Sequence, residues 1–249
     1  MIPKRIHQTW ATQEIPERWH AFHLSWQEQH PDYDHQLWTD SELRELVARC
    51  EPEFLEVYET FPRNIQRVDA GKAILMKHEG GVYADLDTEC YQPITPLLET
   101  EKIVLSRTRD GVIDGAFMAS ERGHDYWDTV LQTMRHPPWY ALVLKAIPGL
   151  QASYVLFSTG PFALRRALAR YQRSGGRTVA VLDPRFCSNV SWWRRHSKAE
   201  VQPDTYVHHH YGDSWLNPLE RVVVAIASPI RLLLLCAIAA VVWILANYA

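Results

Sequence analysis

The chain has 249 residues, room for one large domain and a tail but not for two full-sized domains. A hydrophobic share of 47% against 22% charged residues belongs to a folded globular protein and excludes a mostly disordered one. With 26 Lys and Arg against 29 Asp and Glu, the formal charge of −3 implies no strongly basic face for wrapping nucleic acid, which is not an expected partner.

Met1–Trp10 starts basic and lacks an apolar stretch, so no cleaved secretory leader is expected. Arg5–Trp10 reads as a first strand. Pro16 then opens a helix in which Trp19, Phe22 and Trp26 recur at helical spacing, most simply as packing aromatics. His35–Trp38 is a short strand, and Asp40 is the expected N-cap of a helix burying Leu43, Leu46, Val47 and Cys50. Asn64 is the expected cap of the next helix, which carries Ile65, Val68, Ile74 and Leu75 and ends at Gly80-Gly81. A strand over Val82–Leu86 follows at once. Ile103–Ser106 and Ala116–Ala119 read as strands, Tyr126–Met134 as a helix, and Pro138–Ile147 as an unusually apolar helix suited to a membrane-facing surface. Thr159-Gly160-Pro161 starts a helix with Phe162, Leu164, Leu168 and Tyr171, and Thr178–Leu182 and Thr205–His209 are the last strands. This alternation predicts an α/β domain. The cysteines (Cys50, Cys90, Cys187, Cys236) are far apart with no C-x-x-C pair, which points to reduced, packed thiols.

The chemistry is concentrated between Arg67 and Asp87, where a helix, a double glycine and a strand lead into Asp85-Leu86-Asp87. On a strand, Asp85 and Asp87 project from one face. Two carboxylates so placed repel each other, and a hard divalent cation, Mg²⁺ or Mn²⁺, relieves the repulsion while keeping positions open for phosphate oxygens. Such an ion bridges a diphosphate and neutralises the charge that develops as a sugar–phosphate bond breaks.

The stretch Gly80-Gly81-Val82-Tyr83-Ala84-Asp85-Leu86-Asp87 resembles the DXD signature of glycosyltransferase family 32. That family includes mannosyl-inositol-phosphorylceramide synthases and yeast-type initiating mannosyltransferases, with the large clostridial glucosylating toxins as more distant relatives. Ile2–Trp10 is similar to the family's first strand, Arg67 and Asp69 stand at its spacing, and His208-His209-His210-Tyr211-Gly212-Asp213-Ser214-Trp215 is similar to its closing motif. The resemblance implies a GT-A type fold (a Rossmann-like mixed sheet flanked by helices) over residues 1–217, a nucleotide-sugar donor (UDP- or GDP-linked) and retention of anomeric configuration. It implies catalytic roles for Asp69, Asp85 and Asp87. Mn²⁺ (or Mg²⁺) would be held by Asp87, Asp85 and His210 or a neighbouring histidine, and the donor by Thr9, Trp10, Arg67, Asp69, Lys72, Tyr83, Asp85, Ser214 and Trp215. Successive strand residues alternate faces, so at most two of His208, His209 and His210 can meet one ion. Lys72 departs from the family's usual arginine: it keeps the charge and loses the planar two-pronged grip. Asp114 stands near a position where the family often has Asn. His7 reads as a hydrogen-bonded core histidine.

From Leu232 to Ala249, eighteen residues carry no charged side chain. As a helix this run is about 27 Å long, close to a bilayer's hydrocarbon core. Residues 218–249 therefore read as a membrane-associated segment: interfacial over 219–229, with a break at Ser228-Pro229, then a transmembrane or re-entrant membrane helix over 230–248. Arg221 and Arg231 flank its near side, which places the catalytic domain in the cytoplasm of a bacterial cell, with a Golgi-type lumenal orientation open in a eukaryote. Trp192-Trp193-Arg194-Arg195 reads either as a packed loop with a solvated basic end or as an acceptor or headgroup contact. The expected reaction is metal-dependent hexosyl transfer to a membrane lipid acceptor of sphingolipid or inositol-phosphate type. Two alternatives stand beside it: a capsular, lipid-linked or other surface oligosaccharide acceptor, and a non-catalytic sugar-nucleotide-binding module at the bilayer.

Overall fold

Three parallel neighbours organise the N-terminal half of the computed structural model, which describes residues 1–147, 149–187, 190, 201–212, 214–217 and 220. β1 (Arg5–Thr9) lies between β2 (Asp34–Trp38) and β3 (Gly81–Ala84), pairing His7 with Gln36 on one side and with Tyr83 on the other. A parallel pair needs a crossover. α1 (Glu17–Gln29) supplies the first, and α2 (Asp40–Cys50), α3 (Pro52–Thr60) and α4 (Asn64–His78) supply the second. After β3 come β4 (Thr88–Cys90), α5 (Thr95–Leu98), β5 (Ile103–Arg107) and β6 (Ile113–Ser120). β6 runs antiparallel to β3 and β5, closing a sheet of order β2-β1-β3-β6-β5-β7. α6 (Tyr126–Arg135), α7 (Trp139–Ala146), α8 (Gln151–Ser158) and α9 (Pro161–Arg173) precede β7 (Ala180–Val181), and α10 (Pro184–Cys187) precedes β8 (Val207–His209). The result is the expected mixed α/β sheet with helices around it.

Strand alternation divides the core between the two sheet faces. Tyr83, Leu105 and Met118 point to the α2–α4–α6–α9 side with Leu43, Ile74, Trp127 and Leu164. Val82, Ala84, Val104 and Phe117 point the other way, onto Ile6, Trp26, Cys187 and Val207. Both faces are covered, so the polar end of β3 is the place where the sheet meets solvent chemistry.

Several local expectations shift. Thr39, not Asp40, caps α2: its hydroxyl accepts from the Glu42 N–H while the Glu42 carboxylate accepts from the Thr39 N–H, the reciprocal box that Thr-x-x-Glu allows. Arg63, not Asn64, is the N-cap of α4, and Asn64 donates instead to Asp40. The strand expected over Val82–Leu86 ends at Ala84, because the Asp85 carbonyl accepts from the Thr88 N–H at 3.0 Å and turns the chain. α3, α5, α8, α10 and β4 fall where the sequence reading places no element. Glu220, expected in the interfacial segment, is buried against the globular part: it pairs with Arg63 and accepts from the Asn217 N–H at 3.0 Å. Among the described residues no helix is long and apolar enough to cross a membrane; the expected membrane helix over 230–248 and Trp192–Arg195 lie outside them.

Candidate active site

Gly80-Gly81 aims β3 at the site. Both glycines hold positive φ (+66° and +90°), and a Cβ on Gly81 would lie 2.6 Å from the Arg5 carbonyl oxygen, so no other residue fits between β1 and β3. Behind them His7 donates from Nε2 to the Gly80 carbonyl at 3.0 Å and accepts the Trp38 indole N–H at Nδ1, also at 3.0 Å. His7 is a packed core histidine.

At the far end of β3, Asp85 and Asp87 come together through a turn and not through strand alternation. β4 follows that turn and pairs antiparallel with β8, setting Thr88 opposite His209 and Glu89 opposite His208. The ribbon brings the closing segment onto Asp87: the His210 N–H donates to the Asp87 carbonyl at 2.9 Å, and the Gly212 N–H donates to its carboxylate at 2.7 Å. A Cβ on Gly212 would lie 2.5 Å from the far edge of the Trp19 ring, so any larger residue there displaces that ring. Tyr211, between them, holds φ of +51°, an uncommon backbone state for a bulky residue and one that clusters at functional sites.

The histidine at the acids is His209, which corrects the expected His210. His209 Nε2 lies 3.4 Å from Asp87, and its Nδ1 lies 3.0 Å from the buried carboxylate of Asp114. Asp85, Asp87 and His209 offer ligand atoms that all fall within 4.8 Å of one another. His210 points elsewhere: its Nε2 is 2.9 Å from Glu89, and its ring stacks on Phe22 with centroids 4.1 Å apart. His208 faces Tyr91 and His210. Alternation along the end of β8 and into His210 sets His208 and His210 together and His209 apart from them, at the acids.

A second network backs Asp85. Thr9 and Tyr83 share a 2.7 Å hydrogen bond, and the Tyr83 hydroxyl donates to Asp85 at 2.6 Å. The Lys72 ammonium lies 3.2 Å from Asp69 and 3.6 Å from Asp85, and Thr159 donates to the other Asp69 oxygen at 2.9 Å. Lys72, fully buried, is therefore matched by two carboxylates, the condition under which a buried ammonium is tolerated. The remaining expected donor contacts lie outside these hydrogen-bond networks. Arg67 donates to the Phe61 carbonyl at 2.7 Å. Trp10 is half-buried, its backbone N–H donating to the Trp38 carbonyl, and Ser214 is exposed. The Trp215 ring packs on Arg63 (5.8 Å to the guanidinium), and its carbonyl accepts from the same group.

The charges at this tip are strongly perturbed. Burial pushes the Asp85 carboxyl up; Lys72 opposes the shift and the Asp87 charge adds to it. Burial would also raise Asp87, but the His209 imidazole and the Gly212 N–H hold it down at about 2. For His209 burial favours the neutral ring, yet Asp114 and Asp87 outweigh it and raise the imidazole well above its ordinary value. Burial likewise opposes charge on Lys72, and Asp85 and Asp69 override it. Two close carboxylates, one of them reluctant to ionise, form a site short of positive charge. Two carboxylate oxygens and an imidazole nitrogen are a donor set that fits a divalent ion. Asp114 holds the His209 Nδ1–H, leaving Nε2 to face the acids, the arrangement that orients a metal-binding histidine. Asp114 and Thr159 were the residues the sequence did not assign: Asp114 lies in a strand of otherwise apolar and small residues, and nothing local marks Thr159.

Residues 16–104 match the family described as glycosyltransferase sugar-binding region containing DXD motif. The chain is 40% identical over 163 residues to inositol phosphoceramide mannosyltransferase 3 of Schizosaccharomyces pombe, covering 66% of this chain and 44% of that protein. Inositol phosphoceramide mannosyltransferase 2 of the same yeast is 32% identical over 218 residues, 87% of this chain and 59% of the relative. Mannosyl phosphorylinositol ceramide synthase SUR1 of Saccharomyces cerevisiae is 33% identical over 75% of this chain and 47% of the relative. The chain thus spans about half the length of these curated relatives.

Proposed function

We propose, of a chain that belongs to the DXD-containing glycosyltransferase family, that it transfers a hexosyl group, mannosyl by likeness to its relatives, from a GDP- or UDP-linked donor to an inositol-phosphate sphingolipid at a membrane. The observation that carries this reading is the convergence of Asp85, Asp87 and His209 where β3 meets the β4–β8 ribbon. Asp85, Asp87 and His209 would hold Mn²⁺, favoured over Mg²⁺ by the imidazole, and such an ion supplies charge neutralisation for a departing diphosphate.

The chain's own residues set the rest. Asp69, fixed between Thr159 and Lys72, is poised to accept from donor-sugar hydroxyls. Lys72 is shared by two acids, so it serves to fix the carboxylates more than to grip phosphate, which is where it differs from a forked guanidinium. The indole N–H of Trp215 and the hydroxyl of Ser214 are donors suited to phosphate oxygens. In the proposal the anomeric configuration is retained, the acceptor hydroxyl attacks from the face the diphosphate leaves, and the leaving diphosphate takes the hydroxyl proton. The uncharged run 232–249 supports a C-terminal membrane anchor beside the lipid acceptor, with the catalytic domain cytoplasmic in a bacterium or lumenal in a Golgi-type membrane.

The test is a panel of GDP- and UDP-sugars incubated with the purified full chain and Mn²⁺, with and without inositol phosphoceramide, read as released nucleotide and as glycolipid product. One donor should release nucleotide, faster with the lipid, and give a product with the donor's anomeric configuration. No release from any donor under either condition would contradict the proposal.

A further inference from the structure

The helix face most out of keeping with its surroundings is on α7. Its sequence WYALVLKA holds one charge, Lys145, and its outward side is apolar where a surface helix is normally polar. Trp139 is 70% exposed, Val143 50% and Leu142 49%. Trp139 and Val143 stand one turn apart on one face, and Ile147, just past the helix end, continues the row. Side by side on one face, these residues differ from the singly scattered surface hydrophobics that need no explanation.

Beside it runs a cationic face. α9 carries four arginines and no acid. Arg166 and Arg170 stand in one i, i+4 row and Arg165 and Arg173 in the next, and these two rows form one wall of a groove of about 470 Å³ whose other wall is Tyr140 and Phe157. Arg166 is anchored on the Phe157 carbonyl at 2.7 Å. Among the described residues none of the four arginines is paired with a carboxylate, although the chain as a whole is net acidic.

We infer that α7 and the arginine face of α9 together form a docking surface for an anionic lipid bilayer, with Trp139, Val143 and Ile147 entering the headgroup–acyl boundary and Arg165, Arg170 and Arg173 meeting lipid phosphates. An apolar row flanked by unpaired cations is the pattern of an interfacial helix. Charge complementarity selects an anionic surface over a neutral one. The groove's Phe162 also packs against the Val112–Tyr211 cluster, and Tyr211 donates to Asp114, so the docking face adjoins the wall of the DXD site. The surface does not depend on which sugar the chain transfers.

Hydrogen–deuterium exchange on the full chain tests it without any reference to transfer. The chain is compared in detergent, in phosphatidylcholine nanodiscs, and in nanodiscs of phosphatidylcholine with phosphatidylserine. Uptake over 139–147 and 161–173 should slow at least about fivefold in the anionic discs relative to the neutral ones. Arg165→Glu with Arg170→Glu should abolish that difference, and so should Trp139→Ser with Val143→Ser. Unchanged exchange over α4 and β3 in the same samples reports an intact fold. Equal protection in both lipids, no lipid-dependent protection, or protection already complete in detergent (a face covered by the chain's own tail or by a second copy) would each overturn the inference.

Discussion

The two ends of β3 each hold a histidine, and the two are driven in opposite directions. At the Gly80-Gly81 end, burial pulls His7 down to about 4; the Gly80 carbonyl opposes the fall without reversing it, and the Arg5 charge adds to it. At the Asp85–Asp87 end, burial acts on His209 in the same sense, but the flanking carboxylates of Asp114 and Asp87 reverse the outcome. The strand is one rigid element, so the difference lies in what each end is given as neighbours. A backbone carbonyl and an indole make a neutral frame. Two acids make a site that requires a cation, supplied by the imidazole itself or by a metal.

The sharpest way to break this contrast is at the charged end. Asp87→Asn keeps the shape of the turn and removes the charge that His209 and the Gly212 N–H both address. Donor cleavage should fall by at least about a thousandfold, roughly 4 kcal/mol, while the melting temperature stays within a few degrees. Released nucleotide and a thermal scan check both halves. At the frame end the effect should fall on stability instead. Gly81→Ala places a Cβ 2.6 Å from a backbone oxygen at a φ of +90°, and about 3 kcal/mol or more of folding stability should be lost in urea titration.

His7 supplies a pH signature of the same frame. Its folded value lies below the unfolded one, near 6.5, so the unfolded chain binds the extra proton. Stability is therefore complete above about pH 6.5 and is lost as the pH falls toward 4, by about 3 kcal/mol over that window. Urea titrations at pH 7 and pH 5 should differ in the unaltered chain, and the part of the slope due to His7 should vanish in His7→Gln. A smaller effect is expected one contact away from the charged end. Asp114→Asn should leave the fold in place and weaken Mn²⁺ binding by about 10- to 100-fold, because His209 then loses the group that fixes its Nδ1–H. Unchanged affinity would remove Asp114 from the site.

The sequence revealed the frame better than the site's interior. The helix–Gly-Gly–strand order placed β3 and α4 to within a residue or two, because two glycines before an apolar run permit little else. It also brought Asp85 and Asp87 together, though for the wrong reason: the expected strand continuation is a turn closed by Thr88. Choosing among His208, His209 and His210 needed the register of β8 against β4, which is set by pairing across more than a hundred residues and leaves no local trace. Asp114 and Thr159 were hidden in the same way, each contributing a single polar group to a partner 95 or 90 positions away. Lys72 stands out in the sequence as a departure, and its setting explains how one ammonium serves two acids.

The central claim, that one cation is held by Asp85, Asp87 and His209, is tested most directly by titrating Mn²⁺ into the full chain and into His209→Ala and His210→Ala, with bound ion read by electron paramagnetic resonance. The account predicts a single site in the unaltered chain, kept within about threefold in His210→Ala and lost or weakened at least about 30-fold in His209→Ala. Equal binding by the unaltered chain and His209→Ala, or loss in His210→Ala alone, would contradict it.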